Sequence, residues 1–132
     1  KMGDRDALAN DALLWIARAK SIVVNDEIYC AESLAYTAKM SVNPTMRWFT
    51  YESKIKNTLS LAKKLNPNNP RAYILEANIQ HKLPFIFGGG CKSAKPLIQK
   101  AEMFFSTQTK ANSIEPTWGI QSLVKLKKAC PF

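Results

Sequence analysis

The chain has 132 residues, of which 46% are hydrophobic and 10% aromatic, and this is sufficient for one domain with a core of its own. Its net charge is +9, and residues 53–132 contain thirteen Lys or Arg against three Asp or Glu, so the basic character is concentrated there. No apolar run approaches the roughly 18 residues that a membrane span requires, which excludes an integral membrane segment.

A basic surface of this kind attracts acidic protein surfaces, nucleic-acid phosphates or anionic lipid headgroups. Among these bases, the adjacent pairs are Lys63-Lys64 and Lys127-Lys128, with no arginine-rich stripe and no interleaved aromatic residues. A nucleic-acid partner is therefore not favoured. Peripheral association with a membrane surface and a merely solvated lysine-rich face both stay open.

Apolar and small residues recur at helical spacing along most of the chain, which predicts six helices. Asn25 or Asp26 is suited to cap the second helix and Asn69 the fourth, and Pro44 and Pro70 are suited to the first helical position. The predicted helices cover 4–23, 26–41, 44–65, 70–82, 91–107 and 116–129, with a polar loop over 108–115.

Three of these helices carry a small or aliphatic residue at positions i, i+4 and i+7, which lie on one helix face. The triads are Ala12, Ile16, Ala19; Ile55, Leu59, Ala62; and Ala94, Ile98, Ala101. Their recurrence predicts an all-α fold in which about three antiparallel helical hairpins stack into a single domain over 1–132.

Two further sets of apolar residues are expected to be inward. In the first helix, Leu8, Trp15 and Ile22 share helical spacing with the small residues of the triad and are predicted to face the core with them. Between the fourth and fifth helices, Phe85-Ile86-Phe87 is apolar enough to predict that this connecting segment packs on the helices.

The segment Ala62-Lys63-Lys64-Leu65-Asn66-Pro67, followed by Pro70, Tyr73 and Ala77, resembles the junction between two tetratricopeptide repeats. In that family a small residue precedes a helix-ending proline by five positions, and the next repeat has an aromatic and then a small residue at the matching spacings. The intervals between the triads are about 43 and 39 residues instead of the family's 34, so the chain resembles a divergent member.

The stretch 66–119, with Pro-Arg-Ala-Tyr, Gly-Gly-Gly and Pro-Thr-Trp-Gly in that order, also resembles helical-repeat proteins exported by Bacteroidetes bacteria. The resemblance implies a periplasmic or secreted protein, and it is compatible with association with the outer membrane. A cytoplasmic location is the alternative. It also implies binding of a protein or peptide. It is compatible with residues 1–132 being the C-terminal part of a longer repeat protein.

The three cysteines fit no zinc-binding spacing, and His81 is the single histidine, so no metal site is predicted. Cys91 begins the fifth predicted helix and Cys130 ends the sixth, and these ends lie side by side in an antiparallel hairpin. We therefore predict a Cys91–Cys130 disulfide, with two free thiols as the alternative. Cys30, inside the second helix, is predicted to be a small buried residue.

No arrangement of residues indicates a nucleophile with its base, a carboxylate pair or a bound cofactor, so the sequence predicts a binding module and not an enzyme. An enzyme whose remaining residues lie outside this sequence is a further alternative. The favoured partner is a protein or peptide. The second candidate is a small anionic or saccharide ligand at the glycine-rich segment before the fifth helix. The predicted contact residues are Arg71, Tyr73, Gln80, Lys82, Gly89, Gly90 and Lys92.

Overall fold

The structure is a computed structural model that describes residues 2–108 and 116–132. Within those residues it contains six α-helices, one 3₁₀ turn and no strand, which confirms the predicted all-α class. The helices are α1 (Met2–Ile22), α2 (Asp26–Val42), α3 (Pro44–Leu65), α4 (Pro70–Lys82), α5 (Cys91–Thr107) and α6 (Ile120–Ala129), and the 3₁₀ turn covers Phe85–Phe87.

The helix starts follow the local chemistry of the sequence. The side-chain oxygens of Asn25, Asn43 and Asn69 each accept a hydrogen bond from a backbone N–H in the first turn of the helix that follows. Pro44 and Pro70 occupy the first helical positions, where a missing N–H leaves no helix bond unmade. These local signals fix the starts of α2, α3 and α4 as predicted.

The last helix begins four residues later than predicted, at Ile120 and not at position 116. Gly119, which precedes it, has a φ of +108°, and this left-handed backbone lies outside the helical region. The helix therefore cannot extend back through Gly119. Of the polar loop predicted over 108–115, Gln108 directly follows the last residue of α5, and the rest lies outside the described residues.

The chain divides into two compact units, residues 1–67 and 68–132. In the first unit α2 packs against both α1 and α3, and in the second unit α4 packs against α5 while α6 contacts both of them. The single domain over 1–132 and the tetratricopeptide-like stacking of its hairpins remain predictions. Among the described residues, no helix combines the length and hydrophobicity needed to cross a bilayer.

Both cores are built on the predicted triads. The triads of α3 and α5 are fully buried, and the triad of α1 is half-buried. Small residues at these positions let neighbouring helices approach closely, and larger ones fill the space between them. The buried residues that form the core cluster of the second unit are Tyr73, Ile74, Ala77, Ala94, Ile98, Ala101, Leu123, Leu126 and Cys130.

The prediction that Leu8, Trp15 and Ile22 face the core is wrong, since their exposed fractions are 68%, 65% and 85%. Within the described residues of the first unit, α1 packs against α2 and reaches α3 through the side chain of Asp6, so the face of α1 that carries the three large residues is left exposed. The three large residues recur every seven positions and so form a second, outward stripe at helical spacing. We call Leu8, Trp15 and Ile22 the α1 stripe.

A charged cluster ties the three helices of the first unit together. Arg47 of α3 donates from Nη1 and Nη2 to the two carboxylate oxygens of Asp6 in α1, at 2.8 and 2.9 Å. Lys39 of α2 lies 3.3 Å from the same carboxylate. The hydrogen bond from Arg47 is the largest influence on the Asp6 carboxyl, and together with Lys39 it lowers the pKa of Asp6 from 3.8 to about 2.

Because the pKa of Asp6 is lower in the folded state than in the unfolded state, the cluster stabilises the fold fully above about pH 4. That contribution is lost as the pH falls through 4 toward 2. We expect the Asp6→Asn variant to have a lower free energy of unfolding than the wild type at pH 6 and a similar one near pH 2. Urea unfolding followed by circular dichroism across this range measures both. Parallel pH profiles of the two proteins would contradict the assignment.

Candidate functional site

The structure separates the predicted contact residues into two groups at opposite ends of α4. Arg71 and Tyr73 lie in its first turns, while Gln80 and Lys82 lie in its last turn. Gly89, Gly90 and Lys92 belong with the second group, because the backbone N–H of Gly90 donates to the carbonyl oxygen of Gln80 at 2.8 Å. Five of the seven residues therefore lie around one connection between helices.

Arg71 and Tyr73 are inside the second unit, with exposed fractions of 3% and 8%. The Arg71 guanidinium donates to the side-chain oxygen of Gln108 and the carbonyl oxygen of Trp118, and it lies 5.8 Å from the Trp118 ring. The Tyr73 ring packs against Phe104, with ring centroids 5.3 Å apart. Both side chains hold helices together, and a role as ligand contacts remains a prediction for them.

We call residues 83–90, between α4 and α5, the connector. Its four successive N–H groups at 87–90 all donate to carbonyl oxygens of the chain itself, those of Pro84, Phe85 and Gln80. A loop that cradles a phosphate needs several N–H groups that point at the anion. These four are already bonded, so the glycine run does not provide such a cradle.

The glycines serve the shape of the connector instead. Gly88 and Gly90 have φ values of +81° and +100°, which side-chain-bearing residues rarely adopt. At Gly89 an added Cβ would lie 2.0 Å from the carbonyl oxygen of Leu83, so a larger residue would have to displace backbone. The Ser93 hydroxyl also donates to the Gly88 carbonyl oxygen at 2.5 Å. The connector is therefore a fixed turn in which main-chain bonds leave little freedom.

This fixed turn points three apolar side chains outward. Phe85, Ile86 and Phe87 have exposed fractions of 83%, 81% and 67%, so the prediction that this segment packs on the helices is wrong. The 3₁₀ turn uses its backbone bonds within the connector, and that arrangement directs the side chains away from α4 and α5. We call these three residues the apolar tip. Adjacent exposed apolar residues of this size are typical of an interaction site.

Two exposed lysines border the apolar tip. Lys82 is the last residue of α4, and Lys92 is the second residue of α5. The hydrogen bond from Gly90 to Gln80 links the start of α5 to the last turn of α4, so the two lysines belong to the two helix ends that the connector joins. The site thus combines a fixed apolar surface with two cations, and this combination suits an amphiphilic ligand that carries negative charge.

The predicted Cys91–Cys130 disulfide is present, with 5.3 Å between the Cα atoms, and it closes the end of the second unit that carries the connector. Cys30 takes no part in a disulfide and is buried in α2, also as predicted. His81 lies beside the bridge, with a ligand atom within 4.8 Å of both sulphurs. In the disulfide neither sulphur is a thiolate, so the three residues do not form a metal site in this state.

The disulfide crosslinks residues 39 positions apart, and the entropy that it removes from the unfolded chain corresponds to about 4 kcal/mol. We expect the Cys91→Ser, Cys130→Ser double variant to lose roughly this much in free energy of unfolding, as measured by urea denaturation. A reducing agent should lower the free energy of unfolding of the wild type to a similar extent and leave that of the double variant unchanged. Equal stability of wild type and variant without reductant would contradict a structural role for the bridge.

No model of a known protein family matches the chain, and no curated protein sequence does. Among solved structures, the chain is similar to the HusA haemophore from Porphyromonas gingivalis. The sequence identity is 34% and the TM-score is 0.89, over 98% of this chain and 65% of that one. This chain therefore spans about two thirds of the haemophore's length. The likeness to a Bacteroidetes protein supports the resemblance to helical proteins of that group, while the resemblance to tetratricopeptide repeats is not confirmed.

Proposed function

We propose that this chain binds haem as a cargo, at the apolar tip and its flanking lysines. The observation that carries the proposal is the likeness to a haemophore at 34% identity over 98% of the chain. It favours a binding protein over an enzyme. It also agrees with the second sequence-based candidate, a small anionic ligand near the connector, because haem carries two propionate groups.

The apolar tip has the chemistry that a porphyrin face requires. A porphyrin is a flat apolar ring, and aromatic side chains bind such a surface through burial and stacking. Covering a fully exposed Phe or Ile side chain is worth roughly 1.5–3 kcal/mol. The three residues are held on a fixed turn, so little conformational entropy is lost when they are covered. Phe85, Ile86 and Phe87 can therefore supply most of the binding free energy.

Lys82 and Lys92 supply the charge that the propionates need. Exposed lysines attract carboxylates with modest energy, and salt screens the attraction over about 10 Å at 0.1 M ionic strength. The excess of Lys and Arg over residues 53–132 adds a favourable long-range field. Raising the salt concentration should therefore weaken binding without abolishing it, because the ring contacts remain.

The contacts available at the tip are to the ring and not to the iron. None of Phe85, Ile86 and Phe87 has an atom that ligates a metal. His81, the single histidine, is half-buried beside the disulfide. The proposal therefore makes the porphyrin ring and its propionates the recognised groups, so that metal-free protoporphyrin should bind about as well as haem.

The decisive variant is Phe85→Ser together with Phe87→Ser, which removes two ring contacts without touching the backbone bonds of the connector. We expect haem to bind this variant about 100-fold more weakly, since each lost side chain contributes at least about 1.5 kcal/mol. Titration followed by the shift of the main haem absorption band measures the affinity. The matched control is Phe49→Ser in α3, whose ring is also exposed, at 86%.

Single variants Lys82→Gln and Lys92→Gln should bind haem a few-fold more weakly and with a smaller dependence on salt, whereas Lys64→Gln in α3 should match the wild type. If the double phenylalanine variant bound haem with unchanged affinity, the apolar tip would not be the haem-binding surface. The absence of saturable haem binding by the wild type would overturn the function itself.

A protein or peptide partner is the second candidate, and the observation that favours it is the α1 stripe. Leu8, Trp15 and Ile22 form an exposed apolar row more than three helical turns long, and such rows commonly contact another protein. A protein captured from the native organism by the wild type should be lost with Trp15→Ser and kept with Phe49→Ser. Equal capture by all three proteins would count against the α1 stripe.

Export to the periplasm or the cell exterior is part of the proposal, with the cytoplasm as the alternative. The Cys91–Cys130 disulfide supports it, because such bonds persist in oxidising compartments. The likeness to a haemophore supports it as well. Peripheral association with the outer membrane remains a prediction.

A further inference from the structure

At the end of the second unit that carries the connector, one cluster of potential metal ligands takes no part in the proposed haem binding. His81 near the end of α4, Cys91 at the start of α5 and Cys130 just after α6 each present one ligand atom, and the three atoms lie within 4.8 Å of one another. The three residues lie at the ends of three different helices. Their proximity is therefore a product of the fold and not of spacing in the sequence.

We infer that reduction of the Cys91–Cys130 disulfide turns this cluster into a zinc site, formed by two thiolates and the imidazole of His81. The inference does not depend on haem binding. Imidazole and thiolate together are ligands that Zn²⁺ favours, and two Cys with one His leave a fourth position for water.

The distances suit a tetrahedral ion. With Zn–S bonds of about 2.3 Å and Zn–N bonds of about 2.0 Å, the ligand atoms of such a site lie about 3.5–3.8 Å apart. The three atoms here are already within 4.8 Å, so the His81 nitrogen needs to move by about 1 Å. The two sulphurs separate when their bond is broken. Cys130 is buried and anchored in the core cluster, which restricts how far its sulphur can travel.

A dithiol reductant transfers two electrons to the disulfide, so that the Cys91–Cys130 bond breaks, two thiols form and the dithiol becomes a disulfide. Zn²⁺ then binds both sulphurs as thiolates, and two protons pass to the solvent.

Zinc would take over the mechanical role of the disulfide. In the oxidised chain a covalent bond joins the start of α5 to the end of α6, and in the reduced chain the metal would join the same two points. Because the metal binds the folded chain, it should raise the melting temperature of the reduced protein. It should leave the oxidised protein unchanged.

The test uses the full chain with Cys30→Ser, which removes the third thiol. The protein is reduced with a phosphine, which does not compete as a thiol, and Co²⁺ is added as a spectroscopic substitute for Zn²⁺. We expect one Co²⁺ per chain, with near-ultraviolet charge-transfer bands from thiolate and strong visible bands of a tetrahedral ion. One equivalent of Zn²⁺ should remove these bands, and the oxidised protein should give none of them.

The His81→Gln variant in the same background tests the third ligand. We expect it to bind Zn²⁺ at least about 10-fold more weakly, because even the loss of an outer contact to a metal ligand costs that much. Circular dichroism of each reduced protein shows whether the helices persist, and a Zn²⁺-dependent rise in melting temperature shows that the folded chain binds the metal. Absence of thiolate bands in the reduced protein, equal affinity in His81→Gln, or no change in melting temperature would each overturn the inference.

Discussion

The structure of the second unit depends on two bonds that join the ends of α4, α5 and α6. The Cys91–Cys130 bond fixes the start of α5 against the end of α6, and the Gly90 to Gln80 hydrogen bond fixes the same start against the end of α4. Three helix ends therefore meet at one place, and the connector must turn within it. The glycines are required there because two positions have left-handed backbone and the third has no room for a Cβ.

This closure explains why apolar side chains can stay exposed without loosening the fold. The backbone of the connector is bonded to itself and to α4, so Phe85, Ile86 and Phe87 contribute little to holding the unit together. Their exposure is unfavourable in water, and covering them recovers that free energy. A fixed apolar surface beside Lys82 and Lys92 is a suitable place for a flat anionic ligand. The same closure brings His81 to the disulfide, and our inferred zinc site would form there when the disulfide is reduced.

The features that could be predicted from the sequence are those set by neighbouring residues. Asn69 caps α4 and Pro70 occupies its first position, and the order of the helices places Cys91 and Cys130 at neighbouring helix ends. The exposure of an apolar side chain depends instead on which helices pack against its own helix in the folded chain. Trp15 and Ile16 both lie at helical spacing, and the half-burial of Ile16 and the exposure of Trp15 follow from which face of α1 packs against α2. The composition of Phe85-Ile86-Phe87 likewise resembles a core segment, and the turn that points it outward is a tertiary feature.

We propose the connector as the site at which this chain binds a porphyrin. The most direct measurement is the change in amide chemical shifts of the isotope-labelled chain as diamagnetic gallium protoporphyrin is added, because this locates the ligand without removing any residue. We expect saturable shifts concentrated at residues 82–92, with the amides of α1 to α3 unchanged. Shifts centred elsewhere in the chain, with residues 82–92 unaffected, would contradict the account.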